Sequence, residues 1–266
     1  VIRAGGTAVE AFAYNPGLLE VAGSLDLIDA SGLDADLSLT LGDEVTASKD
    51  GTSGGLVDFV VKTGSGDDMI RLTEGFDTKG DSIDAGAGAN TLFVYNDVAN
   101  GSVTNVQTLD VRATATDTIS VDSSLFTGLE EIQLRNEGQA GLVTSAADVV
   151  FELNELTDEL AQNISIQHST TGSNGLTQNT IDANLADATG DSDTVAVAWA
   201  DQIDMEARGI NNDPRFNFEL DAEDVENISL DDMDSESNTV DLVQFADHTG
   251  TLTVTAPALF GRHYVL

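Results

Sequence analysis

The chain has 266 residues, and its 47 acidic side chains against 10 basic ones leave a formal net charge of −37. That self-repulsion opposes compaction unless cations or salt offset it. It also argues against nucleic acid and against insertion in or docking on an anionic membrane, since those contacts need Lys or Arg and a bilayer span needs a long apolar stretch that the sequence lacks.

Cysteine is absent, so disulfides and thiolate metal sites are excluded, and a secreted protein of this composition needs another staple. Asp is the commoner acid, as expected where acids sit in tight turns or hold hard cations through oxygen. Halophilic adaptation, with carboxylates simply hydrating the surface, explains the same excess and suits the scarcity of lysine. The chain begins at Val1 without a charged-then-apolar leader, as expected of a processed product or a piece of something longer.

Along the chain, short alternating runs separated by Gly, Asp, Asn and Thr predict an all-β protein. The first long phrase is Ile28 to Leu41 (IDASGLDADLSLTL), echoed at Val121 to Leu134 and Val240 to Val254. A shorter phrase recurs at Val106 to Val111 (VQTLDV), Leu129 to Leu134 (LEEIQL) and Val225 to Leu230 (VENISL). Such self-similarity predicts short strands stacked as rungs of a β-solenoid or β-roll, with a β-sandwich as the alternative. Near 145–163, Val149, Leu153, Leu156 and Leu160 share one helical face behind a Ser145/Asp148 capping box, which predicts one short amphipathic helix. The chain accordingly divides into a β-rich segment over 1–143 with the glycine-rich turns, and a helix followed by a second β-rich segment over 144–266; one continuous domain is the other possibility.

Thr63 to Arg71 (TGSGDDMIR) and Ala85 to Phe93 (AGAGANTLF) both approach the nonapeptide G-G-x-G-x-D-x-U-x, where U is large and apolar. Asp81-Ser82-Ile83 supplies the second half of another copy. Their registers agree: Asp81 to Asn90 and Ile83 to Leu92 are each nine residues, while Asp68 to Asp81 and Ile70 to Ile83 are each thirteen.

In such a repeat the glycine half turns and the D-x-U half forms a strand, so turns two repeats apart stack on one edge. Glycine lets the turn carbonyls point inward, and carbonyls with carboxylates make the oxygen cage that Ca²⁺ takes. The same-edge pair is the turn from Thr63 to Asp68 and the turn from Ala85 to Asn90, with Asp81 on the opposite edge. Asp68 and Asn90 are the candidate side-chain ligands; Gly64, Gly66, Gly86 and Gly88 are turn formers or carbonyl donors. Asn90 stands where the pattern has Asp, which removes a charge and weakens that site. Metal-free turns are the alternative. A second candidate cluster is Asp187, Asp191 and Asp193 around a glycine turn, whereas Asp231 to Glu236 lacks the glycine and the final acid of an EF-hand loop.

The run KTGSGDDMIRL, then GDSIDAGAGANTLFV, then NVQTLDV resembles the repeats-in-toxin proteins. More narrowly it resembles the calcium-dependent surface-layer proteins of Gram-negative bacteria of the Caulobacter type, specifically over Leu19 to Leu134 and diffusely afterwards. The resemblance implies secretion by a one-step exporter, folding on contact with extracellular calcium, and assembly with copies of itself into a lattice. Pro257 to Leu266 does not look like the acidic-aliphatic tail such exporters read.

No catalytic constellation is expected. Gly51-Thr52-Ser53-Gly54-Gly55 fits G-x-S-x-G but precedes a strand-like run where a nucleophile elbow needs a helix, and His168, His248 and His263 make no zinc motif. The expected function is therefore a calcium-dependent structural protein of a bacterial cell surface, a surface layer or matrix component. The alternatives are a calcium-stabilised adhesin for a cell-surface glycan or protein, and the calcium-binding accessory module of a secreted hydrolase.

Overall fold

The computed structural model describes residues 2–6, 27–41, 59–72, 76, 80–95, 97–113, 118–136, 149–168, 178–189, 192–201, 217–222, 225–232 and 251–255. They are mostly strand, and the strands pair in parallel. Contacts group the chain into two units, Val1–Val111 with Ser124–Glu131, and Arg112–Ser123 with Ile132–Leu266.

In the first unit the chain alternates between two sheets. One holds β1 (Ile2–Gly6), β2 (Leu27–Leu33), β4 (Val60–Lys62), β6 (Ser82–Asp84), β8 (Ser102–Thr104) and β11 (Phe126–Thr127), in that order. The other holds β3 (Ser38–Leu41), β5 (Met69–Leu72), β7 (Thr91–Val94) and the start of β9 (Thr108–Ala113). Each strand from β2 to β7 therefore pairs with the next but one, because the strand between them lies in the opposite sheet.

Parallel registry stacks like on like. Ile28, Val61, Ile83 and Val103 form one column, Leu39, Ile70, Leu92 and Leu109 a second, and Leu41, Leu72, Val94 and Val111 a third. All twelve side chains are buried. At roughly 1.5–3 kcal/mol for each fully buried aliphatic side chain, these columns are the main favourable term, and a slip of one residue would turn each strand's apolar set outward.

The second unit repeats the device. Strands β10 (Thr118–Asp122), β13 (Val149–Leu156), β15 (Gln178–Leu185) and β17 (Asn217–Asp221) form one sheet, in which Ile119, Phe151, Ile181 and Leu220 stack. The other sheet carries β12 (Glu131–Asn136), β14 (Ile164–His168), β16 (Thr194–Asp201), β18 (Asn227–Asp232) and β19 (Thr251–Thr255), and Ile132, Ile164, Val197 and Leu230 stack there. The phrases VQTLDV, LEEIQL and VENISL thus supply β9, β12 and β18.

The helix expected near 145–163 is corrected. Residues Val149–Leu156 form strand β13, and the only helix of the region among the described residues is α1 (Asp158–Ala161), a single turn. Its cap is the Thr157 hydroxyl, which accepts the Leu160 N–H at 3.3 Å; Ser145 and Asp148 lie outside the described residues. Val149, Leu153 and Leu156 satisfy a helical period, but Phe151 does not, and Phe151 is fully buried. Period two together with the β-branched and aromatic run Val149-Val150-Phe151 wins.

Among the described residues no helix is long and apolar enough to cross a membrane. The G-x-S-x-G stretch, His248 and His263 lie outside the described residues.

Candidate metal centre

Each passage from the first sheet of the first unit to the second is a tight turn, and these turns stack. Backbone bonds join them: Ser65 N–H to Leu33 C=O at 2.9 Å, Ala87 N–H to Gly64 C=O at 2.9 Å, and Asn105 N–H to Thr127 C=O at 2.9 Å. The turns from Thr63 to Asp68 and from Ala85 to Asn90 are therefore neighbours on one edge, as the nonapeptide spacing predicts. Asp81 lies at the other end of β6, on the opposite edge.

Glycine is required in these turns by space as well as by angle. Any Cβ on Gly64 would strike the Leu33 carbonyl, and Gly86 has φ +67° with the Gly64 carbonyl against it. Gly66 and Gly88 likewise pack directly against the backbone of the turn before them.

Side chains complete what the backbone cannot. In register, Leu37, Asp68, Asn90 and Gln107 each stand one residue before stacked strands. Leu37 N–H donates to Asp68 Oδ1, Asp68 N–H to Asn90 Oδ1, and Asn90 N–H to Gln107 Oε1, each at 2.8 Å. An outer row runs the opposite way: Asp67 N–H donates to Asp36 Oδ1 and Ala89 N–H to Asp67 Oδ1, both at 2.8 Å. On the opposite edge Phe59 N–H donates to Asp81 Oδ1 at 3.1 Å, and in the second unit Asp193 N–H donates to Glu226 Oε2 at 3.1 Å. The residue that begins the D-x-U phrase thus caps the N–H of its counterpart one rung earlier, satisfying a main-chain donor where the ladder breaks.

In this turn column one carboxylate oxygen is left over; in the second unit Asp221 Oδ1, at the end of β17, is also buried without a hydrogen bond. Asp68 and Thr63 are each 2% exposed, and Asp68 Oδ2 and Thr63 Oγ1 are buried without a hydrogen-bond partner. Burial pushes the Asp68 carboxyl up; the Thr63 hydroxyl and the N–H groups of Leu37 and Gly64 act the other way, and Asp36 adds to the rise. The Thr63 hydroxyl favours the anion by proximity, though it lacks hydrogen-bond geometry toward it.

Asn90 occupies the equivalent place one rung on and is fully satisfied. Its Nδ2 donates to Ala85 C=O at 2.8 Å and to Asn105 C=O at 2.9 Å. Thr63, Ala85 and Asn105 stack, each following a paired strand residue. Asn90 Nδ2 thus meets two carbonyls, whereas the groups that act on the Asp68 carboxylate are the Thr63 hydroxyl and the N–H groups of Leu37 and Gly64.

These oxygens are of the kind that hold a hard cation: one carboxylate oxygen, one hydroxyl and turn carbonyls. Among the described residues no group of three or more His, Cys, Asp or Glu side chains converges as a metal cluster. The fit therefore rests on Asp68, Thr63 and main-chain oxygen.

Neighbouring acids have other partners. Asp84 accepts Asn105 Nδ2 at 2.7 Å and Gly86 N–H at 3.1 Å. Burial alone would raise its carboxyl, but Asn105, Gly86, Thr104 and Lys62 together hold it below the ordinary range. Asp187 is held down by the Thr189 hydroxyl and N–H, which it accepts at 2.6 and 3.1 Å. Asp193 sits one rung before Glu226, and Asp191 lies outside the described residues.

Sequence reasoning missed Asp36, Asp67 and Gln107. The turn from Leu33 to Asp36 contains no glycine, so the nonapeptide template passes over it; its signal is the shared Asp at the position before the inner row. No family model, curated protein or solved structure matches the chain.

Proposed function

We propose that the chain is a calcium-dependent structural protein of an extracellular surface layer or matrix, built as a β-roll-like stack of rungs. The observation that carries this is the buried pair Asp68 Oδ2 and Thr63 Oγ1, neither of which makes a hydrogen bond, in a turn column where Asp68 N–H and Asn90 N–H are both held by the next side chain. A buried carboxylate oxygen with no hydrogen bond is expensive, and a cation between the turns removes that cost.

Three features support the wider reading. The net charge of −37 calls for bound cations. Parallel stacking gives a stiff element that grows by repetition. The described sheets are open, ending at β1, β11, β10, β17, β19 and β3 among the described residues, and an open parallel edge is where another copy adds. A place outside the cell, on a bacterial surface in this proposal, suits a protein whose calcium sites are of the weak extracellular kind.

Circular dichroism and light scattering during a calcium titration, at constant ionic strength with sodium as control, test the proposal. Folding followed by growth of scattering in calcium alone is the expected result. Full folding in sodium with chelator present favours a salt-adapted surface instead, and folding in calcium without growth points to a monomeric adhesin or accessory module.

A further inference from the structure

We propose that the Asn90 side-chain amide is a built-in replacement for the cation in the turn column, so that metal binding is confined to the turn pair containing Asp68. The inference rests on the calcium reading for Asp68, but it makes separate claims about Asn90.

The geometry of Asn90 is that of a plug. The side chain is 1% exposed, and its amide nitrogen sits between the carbonyl of its own turn, Ala85, and that of the next, Asn105. Its orientation is fixed by chemistry: a flip would set Oδ1 against two carbonyls and Nδ2 against the Asp68 N–H, losing all three bonds. The NH₂ group thus supplies, covalently and with no ion, the positive partial charge that two stacked carbonyls need.

At Asp68 the same position carries an oxygen. Its Oδ1 caps Leu37 as Asn90 Oδ1 caps Asp68, so both side chains enter their turns in the same pose. The other atom, Oδ2, is buried and lacks a partner, as is the adjacent Thr63 hydroxyl. One rung is closed by an amide and the rung before it is left requiring a cation. A single Asp-to-Asn difference then decides which gap binds metal, and Asn90, which by sequence is a weakened ligand, is instead no ligand.

The test uses the full chain with D68N and N90D, reading melting temperature in chelator and in calcium chloride, and calcium stoichiometry by calorimetry. D68N should melt higher than wild type in chelator, because an amide in the Asn90 pose replaces a buried, unmatched carboxylate oxygen with an N–H donor, and it should lose an equivalent of calcium. N90D should melt lower than wild type in chelator, recover in calcium, and bind an additional equivalent. If D68N is not stabilised in chelator, or if N90D gains neither calcium binding nor calcium-restored stability, the replacement idea is wrong. An N90D chain that never folds leaves D68N to decide, since that variant needs no metal. Should N90D gain calcium while wild type and D68N bind equally, Asn90 is the replacement proposed and the calcium reading of Asp68 is what fails.

Discussion

Asp68 and Asn90 stand on consecutive rungs in the same pose, and the Asp68 N–H is held by Asn90 Oδ1 at 2.8 Å. One residue closes its turn with an amide; the other leaves a buried carboxylate oxygen without a partner. The difference between a self-sufficient rung and the one for which a cation is proposed lies in that pair.

The turns should be intolerant of Cβ atoms. Gly86→Ala forces an L side chain to φ +67° against the Gly64 carbonyl. The left-handed conformation alone costs roughly 1–2 kcal/mol, and the contact adds to it. In urea unfolding the midpoint should fall with little change in slope. A loss within about 0.5 kcal/mol, the range of an ordinary surface change, would mean the turns are not packed as described.

In chelator, pH should pull stability in two directions. The Asp84 carboxyl is held below its ordinary range, so its contribution is present above the unfolded-state value and is lost as pH falls through the folded one. The Asp68 carboxyl is raised, so the folded state binds the proton more tightly and stability from this group falls as pH rises through that window. Melting temperature against pH should therefore fall less steeply on its acid limb in D84N and less steeply on its descending limb in D68N. Calcium should remove the descending limb in wild type, and its persistence in calcium would speak against a cation at Asp68.

Phe151→Ala separates strand from helix over 149–156. Phe151 stacks between Ile119 and Ile181 and is fully buried, so its truncation should cost about 3–5 kcal/mol by denaturant unfolding. On a helix with Val149, Leu153 and Leu156 inward, Phe151 would point away from the core. A cost near zero would restore that helix.

Much of the β architecture was legible because its physical signals are local. The phrases around Ile28, Val106, Leu129 and Val225 carry period two and turn residues, and Ile70, Ile83 and Leu92 are the apolar members of the nonapeptide register; all are buried or sit in strands. The spacing from Asp68 to Asn90 likewise predicts neighbouring turns, and the turns are neighbours. Two things were hidden. Val149, Leu153, Leu156 and Leu160 fit a helical period, while the strand keeps period two only through Val149, Phe151 and Leu153 and brings Leu156 inward across a register shift, which spacing alone does not reveal. Asp36, Asp67 and Gln107 enter the turn column through pairing across rungs, which residue type does not reveal. Nor does a sequence motif distinguish an aspartate whose carboxylate caps a backbone N–H from one that also keeps a buried oxygen without a hydrogen bond; Asp81 and Asp68 share the D-x-U position, and only Asp68 keeps such an oxygen.

The most direct measurement is a diffraction map from crystals grown in calcium, inspected between the turns of Thr63–Asp68 and Ala85–Asn90. A peak about 2.3–2.6 Å from Asp68 Oδ2, bound also by turn carbonyls, is expected, and none beside Asn90 Nδ2. A map with Asp68 Oδ2 facing only protein or water, in crystals saturated with calcium, would contradict the calcium reading of Asp68.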